Sequence, residues 1–242
     1  MNFTLIVLLG SIAATTLAAP VAESGTTFQS PPNRAHLVEL FTSEGCSSCP
    51  PAEAWLRSLR ENAGLWRTVV PVAWHVDYWD YLGWKDRWSS PLFTRRQRAY
   101  ASAWNARQVY TPGLVLNGLE WRERTLPPVV GQPGVLAVHV NDGRVTVHFA
   151  PAEAKAAAWE AWLAPLGGNL ESDVRAGENS GRKLKHEFVA LALDHRAMLS
   201  TRAGFTAVFD AANLRGARAL AAWVTEKDRL VPIQATGGWL AD

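Results

Sequence analysis

The sequence predicts an α/β domain followed by a β-rich domain, on three observations. Two apolar runs, His36–Phe41 and Val69–Val76, flank a helix-forming stretch around Ala52–Leu59. Near-continuous apolar runs suit strands buried on both faces, as in a parallel sheet. From Val135 onward the pattern changes to short alternating segments separated by turns, which suits an antiparallel sheet or sandwich. Between the two regimes, Thr125–Gly134 carries Pro127, Pro128 and Pro133 and cannot make a good helix. The expected layout is an export signal over residues 1–19, a linker over 20–34, the α/β domain over 35–134 and the β-rich domain over 135–242.

The amino-terminal segment reads as an export signal because Leu5–Leu9 is apolar but short, and Ala18 and Ala19 precede Pro20 where a signal peptidase could cut. It lacks an early Lys or Arg, so a short membrane anchor is the alternative. Val21–Asn33, with Gly, Ser, Thr and Pro, reads as a disordered linker. The expected location is therefore periplasmic or secreted, with membrane contact only if the first segment stays uncleaved. The net charge of +2 over 242 residues gives no basic surface for nucleic acid.

Gly45-Cys46-Ser47-Ser48-Cys49 holds the only two cysteines. The pair follows the first strand and precedes the first helix, the position of a redox Cys-x-x-Cys motif. In an exported chain a disulfide persists. A static staple is the competing reading, but closing so short a loop stabilises little, since the entropy gain grows with loop length. Pro50 and Pro51 place the helix start near Pro50. Both cysteines then fall in the preceding turn, which weakens the dipole argument for an acidic Cys46 thiol.

The two apolar strands and the helix between them make a β–α–β unit. Ligands in such units sit beyond the carboxyl ends of the strands. The cysteines lie at that end of the first strand, and His75-Val76-Asp77-Tyr78-Trp79-Asp80-Tyr81-Leu82-Gly83-Trp84-Lys85-Asp86 lies at that end of the second. Asp77 or Asp80 could relay protons during exchange if burial raised its pKa. Alternatively the segment is a long loop whose acids cap a following helix. His75 is either a core histidine or a ligand. Ser90 and Pro91 open a second helix reaching about Asn105, its arginines forming a solvated face. Tyr110-Thr111-Pro112 then precedes another apolar strand.

Strand, Cys-x-x-Cys, helix, strand, helix, Thr-Pro, strand and hairpin is an order that resembles the thioredoxin-like fold. More narrowly, the chain resembles a family of secreted bacterial proteins catalogued as a domain of unknown function (number 1223). The stretches that carry the likeness are Val38–Glu53, His75–Asp86, Arg96–Tyr100, Val109–Pro112 and, later, Arg175–Arg182. The resemblance implies a cis Pro112 beside the cysteines and a Thr111 backbone that pairs with an incoming peptide. It implies no reaction. One departure is already visible, since the helix that usually follows the hairpin strand has no counterpart in Thr125–Gly134.

The resulting expectation is thiol–disulfide exchange on protein thiols or disulfides. Cys46, as the more exposed thiol, attacks and Cys49 resolves; Thr111, Pro112, Asp77 and Asp80 assist. Glu44, Tyr78, Trp79, Trp84 and Tyr110 are the candidate substrate contacts. No cofactor is required in this reading. The first alternative is a copper-handling protein using Cys46, Cys49 and His75, against which stand only two Met residues. The second is a binding module with an inert disulfide. In the β-rich part, strands are expected at 135–140, 144–149, 157–163, 183–193, 205–209, 217–224 and 230–235. Gly177–Gly181 is a loop, either a tight turn or a contact with the first domain.

Overall fold

A computed structural model describes residues 25–141, 143–154 and 157–241. The expected export signal lies outside the described residues. Among the described residues strands make up 43% and helices 15%, in several sheets. The chain is therefore a β-rich fold, and the expected α/β, thioredoxin-like class is overturned.

The first half contributes β1 (Gly25–Gln29), β2 (His36–Thr42), α1 (Pro50–Ser58), β3 (Val69–His75), α2 (Pro91–Ala103), β4 (Gly113–Leu116) and β5 (Leu119–Glu120). The second half contributes β6 (Gly134–Asn141), β7 (Arg144–Pro151), β8 (Trp159–Gly167), β9 (Leu170–Asp173), β10 (Lys183–His186) and β11 (Val189–Ala190). It continues with β12 (Asp194–Ala197), β13 (Leu199–Thr201), β14 (Gly204–Asp210), β15 (Ala219–Glu226) and β16 (Pro232–Trp239).

β2 and β3 pair in parallel across α1, with Leu40 opposite Ala73. The free edge of β3 explains why the class expectation fails. β11 adds to that edge in parallel, and β8, β15 and β16 follow, giving a nine-stranded sheet in the order β16-β15-β8-β11-β3-β2-β4-β5, with β12 also on β8. An apolar strand such as β3 left at an edge would expose unpaired backbone groups, and strands from beyond residue 134 supply the missing partners. A second sheet, β1-β6-β7-β14-β13, is antiparallel, and β9 and β10 form a separate hairpin.

The period of two along β8 and β15 builds two cores at once. Ala164, Leu166, Ala219, Ala221 and Trp223 face the core shared with β2, β3 and the helices. Trp159, Ala161, Leu163, Leu220, Ala222 and Val224 face the five-stranded sheet, where they meet Leu136, Val147 and Phe149. Alternation at Trp159, Ala161 and Leu163 thus does mark a strand. The region expected as a disordered linker is partly ordered. Gly25–Gln29 pairs with β6, and Phe28 packs over Gly238, where a Cβ would stand 1.9 Å from the ring.

α2 starts as expected, with Ser90 Oγ accepting from the Leu92 amide at 3.2 Å and Pro91 in the first turn. Its arginines do not form one solvated face. Arg95 and Arg98 are exposed, but Arg96 is buried. Its Nε donates to Glu39 Oε2 at 2.6 Å, and Tyr100 Oη and Trp74 Nε1 donate to the same carboxylate at 2.5 and 2.8 Å. The guanidinium lies over the rings of Trp74, Trp223 and Trp162 at 5.4, 5.0 and 5.6 Å. One ion pair thereby joins α2 and β2 to strands of the second half.

Removing one partner of a buried pair leaves an uncompensated charge. Arg96→Met is expected to lower stability by about 3–5 kcal/mol. Glu39→Gln with Arg96→Met should cost much less than the two single changes summed. Urea unfolding of the three variants checks this. A single-variant loss below about 1 kcal/mol, the range of a surface pair, would contradict it.

Candidate functional site: a covered disulfide over a buried acid–histidine cluster

β2 delivers the chain to a tight turn. The Gly45 amide donates to Ser43 Oγ at 3.1 Å, the Cys46 amide to the Ser43 carbonyl at 3.1 Å and the Cys49 amide to the Cys46 carbonyl at 3.2 Å. Cys46 and Cys49 are joined in a disulfide with Cα atoms 5.5 Å apart. α1 begins at Pro50, so both cysteines do sit before the helix. Cys46 is not the more exposed of the two in any useful sense. The pair is 1% and 0% accessible, while Ser47 and Ser48 between them are exposed.

The burial has a specific cause. The loop joining β9 to β10, residues 174–182, crosses the turn. Fully buried Asn179 donates through Nδ2 to the carbonyls of Glu44 and Cys46, both at 2.9 Å. Arg182 Nη1 donates to Asn179 Oδ1 at 2.8 Å and fixes the amide's orientation. Exposed Glu178 accepts from the Ser47 amide at 2.9 Å, which holds its carboxyl below the ordinary range. The Gly177–Gly181 loop is thus a contact with the cysteine turn.

The aromatic–acid segment forms the neighbouring wall. Trp79 lies against Gly45, where a Cβ would meet the Trp79 Cβ at 2.9 Å, so the close approach requires glycine. Trp79 Nε1 donates to Thr111 Oγ1 at 2.8 Å, and Thr111–Pro112 is a cis peptide. Trp79 therefore bridges the cysteine turn and the Thr-Pro turn. Tyr78 Oη donates to Gln97 Oε1 at 3.1 Å, and burial pushes its phenol up to about 12. Tyr110 is exposed and donates to Glu120 Oε1 at 2.6 Å. With Pro112, Leu114, Trp121, Arg122 and Arg124 it lines an open groove.

Asp77 and Asp80 are half-buried and shape the loop. Asp77 Oδ1 accepts from Thr94 Oγ1 at 2.5 Å. Asp80 accepts from the Asp86 amide at 3.2 Å and Ser89 Oγ at 3.1 Å; burial raises its pKa against these bonds. Glu44 and Trp84, expected at the substrate, hold each other instead, with Trp84 Nε1 donating to Glu44 Oε2 at 2.6 Å.

Three buried acids beside the turn, Glu44, Glu53 and Asp86, surround two buried histidines, His75 and His186. His186 Nε2 lies 3.2 Å from Glu44 Oε1, and its Nδ1 bonds Glu53 Oε2. Glu53 Oε1 accepts from Thr42 Oγ1 at 2.6 Å. His75 Nδ1 lies 2.7 Å from Asp86 Oδ2, which also accepts from the Glu44 amide at 2.9 Å. The two imidazoles meet edge to face, 5.0 Å between centroids. Burial opposes charge throughout, but the pairings outweigh it. Glu44 and Glu53 hold His186 up to about 10, and Asp86 raises His75. Reciprocally, His186 lowers Glu53 and His75 lowers Asp86. Since Glu53 follows Cys49 by one helical turn and Glu44 precedes Cys46 by two residues, the cluster underlies the disulfide. His75 falls with Glu53 and His186 in one group of potential ligand atoms.

The chain belongs to the family of proteins of unknown function DUF1223, whose model matches residues 37–225. It is similar in structure to a structural-genomics target from Agrobacterium tumefaciens, with TM-score 0.61 and 23% identity over 86% of this chain and 94% of that one. It is also similar to HBP35 of Porphyromonas gingivalis, with TM-score 0.56 and 15% identity over 86% of this chain and 76% of that one. At these identities the likeness is one of fold. No curated protein matches. No helix among the described residues is long and apolar enough to cross a membrane.

Sequence reasoning missed Glu53, Asp86 and His186 as parts of the site, and it offered Glu178 and Asn179 only within a loop that is either a tight turn or a contact with the first domain. Glu53 carried a readable signal, one helical turn from Cys49; His186, more than 130 residues away, carried none. Asn179→Ala should leave the buried Glu44 and Cys46 carbonyls without their side-chain donor. The expected loss is about 1–3 kcal/mol, read as a lower urea midpoint with an unchanged slope. An unaltered midpoint would show that the loop contributes nothing to holding the turn.

Proposed function

We propose that the Cys46–Cys49 pair exchanges disulfides with protein thiols after the 174–182 loop lifts from it. The observation that carries this reading is the placement of the disulfide. It closes a ring too short to add much chain-entropy stabilisation, and the two residues inside that ring, Ser47 and Ser48, are exposed although the cysteines are buried. Its cover is held at the turn by two side chains, Asn179 and Glu178. A site of this kind suits an oxidising compartment, periplasmic or extracellular, where such a bond persists.

In the oxidised form a substrate thiolate attacks Cys46 Sγ. A mixed disulfide forms, the Cys46–Cys49 bond breaks, and Cys49 leaves as a thiolate that takes up a proton. A second substrate thiolate then attacks the substrate sulfur of the mixed disulfide and releases Cys46. The substrate gains a disulfide and the pair becomes a dithiol. With a disulfide substrate the same steps run in reverse, and the relative reduction potentials set the direction. The groove beside cis Pro112 would receive the extended peptide, with Tyr110 and Thr111 at its edge. Trp79 couples that groove to the cysteine turn. Asp77, Asp80, Glu44 and Trp84 act in this reading by shaping the turn and loop.

Two experiments test the reading. Cys49→Ala should accumulate mixed disulfides with a disulfide-bearing model protein, Cys46 attacking one substrate sulfur while the other leaves as a thiolate, whereas Cys46→Ala should accumulate none. Non-reducing gels with mass spectrometry read the outcome, and equal trapping by both variants would overturn the assignment of Cys46. Separately, Asn179→Ala with Glu178→Ala should speed reduction of the wild-type disulfide by dithiothreitol about tenfold for each 1.4 kcal/mol removed from loop opening. If neither cysteine variant traps a partner and the loop changes leave reduction slow, the bond is an inert staple.

A further inference from the structure

We propose that Glu53, His75 and His186 form a binding site for a divalent transition-metal ion, with zinc the best match. The three come from separate rigid elements, α1, the end of β3 and the end of β10. Each offers a ligand atom, and these atoms lie within 4.8 Å of one another. All three side chains are buried.

The telling atom is His75 Nε2. It is buried and has no hydrogen-bond partner among the described residues. A buried polar atom left without a partner is costly, and native structures rarely keep one without a purpose. Its other ring nitrogen is engaged by Asp86 Oδ2 at 2.7 Å. A carboxylate on one nitrogen with the opposite nitrogen bare is the arrangement of a metal-ligating histidine. His186 differs in having a carboxylate at each ring nitrogen, with Nδ1 on Glu53 Oε2 and Nε2 3.2 Å from Glu44 Oε1. An ion between its Nδ1 and Glu53 would replace the first contact and leave Glu44 backing the ring. Two imidazoles, each backed by its own carboxylate, and one carboxylate ligand then converge on one point.

Charge supports the same assignment. Glu44, Glu53 and Asp86 bring three carboxylates into a space closed to water, and buried anions need compensating positive charge. Without an ion the two protonated imidazoles provide that charge; a bound divalent ion would supply the same two positive charges and displace a proton from each ring. The donor set of two nitrogens and carboxylate oxygen, without thiolate, suits zinc in a tetrahedral site. Three protein ligands leave a fourth position for water. The ion would sit under the cysteine turn, since Glu53 is on the first turns of α1, but its binding does not depend on disulfide exchange.

The test uses the full mature chain with its disulfide intact, stripped of metal by chelator and dialysed. Zinc titration by calorimetry should show one equivalent bound, and His75→Gln should weaken it at least about 10-fold, the lower range for loss of a metal-site group. Glu53→Gln, which keeps size and hydrogen bonding, serves as the second variant if the histidine change unfolds the protein. Cobalt substituted at the site should give tetrahedral d–d bands with no thiolate charge-transfer band. Three results would overturn the proposal: no zinc bound at one equivalent, binding unchanged in both variants, or binding that appears only after reduction with a thiolate–cobalt band, which places the metal on Cys46 and Cys49.

Discussion

His186 held between Glu44 and Glu53 is the contact on which the site depends. Glu44 belongs to the cysteine turn, Glu53 to the first turns of α1, and His186 to the end of β10, more than 130 residues later in the chain. It anchors the end of β10 at the turn, while Asn179 anchors the loop that joins β9 to β10. The covered state of the disulfide is therefore a consequence of tertiary pairing. The local turn alone would leave the sulfurs open on the surface, as sequence reasoning assumes.

The same division of labour runs through the fold. β2, α1 and β3 form the parallel unit that the apolar runs and the intervening helix indicate. That unit is incomplete by itself. Two helices cannot cover both faces of a sheet this wide, so β8 and β15 present apolar side chains to both sides and a second sheet closes the far face. Arg96 shows the junction at atomic scale, with its charge on Glu39 from β2 and its guanidinium face on Trp162 and Trp223 from β8 and β15.

Periodicity made most of the strands legible. The 135–149 hairpin, β8, β14, β15 and β16 follow from alternation, and Ser90-Pro91 marks the start of α2. The fold class was not legible, because periodicity reports which face of a strand is buried and not which other strand lies beside it. The βαβ unit reads identically whether its sheet ends at β3 or continues through β11. At the site, the Cys46–Cys49 pair, the cis Thr111–Pro112 bond and the role of Trp79 beside them were within reach of motif reasoning. The buried acids were not. Asp77 and Asp80 stood out because they sit among aromatics, whereas Asp86, six residues on, is the one that burial selects. Arg96 looks like its neighbours Arg95 and Arg98 in sequence, and only a helical turn's phase relative to β2 separates them.

The distance along the chain between the cysteines and their cover has a temporal meaning. A polypeptide made or exported from its amino terminus presents Cys46 and Cys49 long before Asn179 emerges, 133 residues after Cys46. During that interval the thiols are open to whatever oxidises nascent chains, and β10 with its His186 has not yet arrived. The bond and its cover thus come from parts of the chain that emerge at different times, with the cysteines before the loop that buries them.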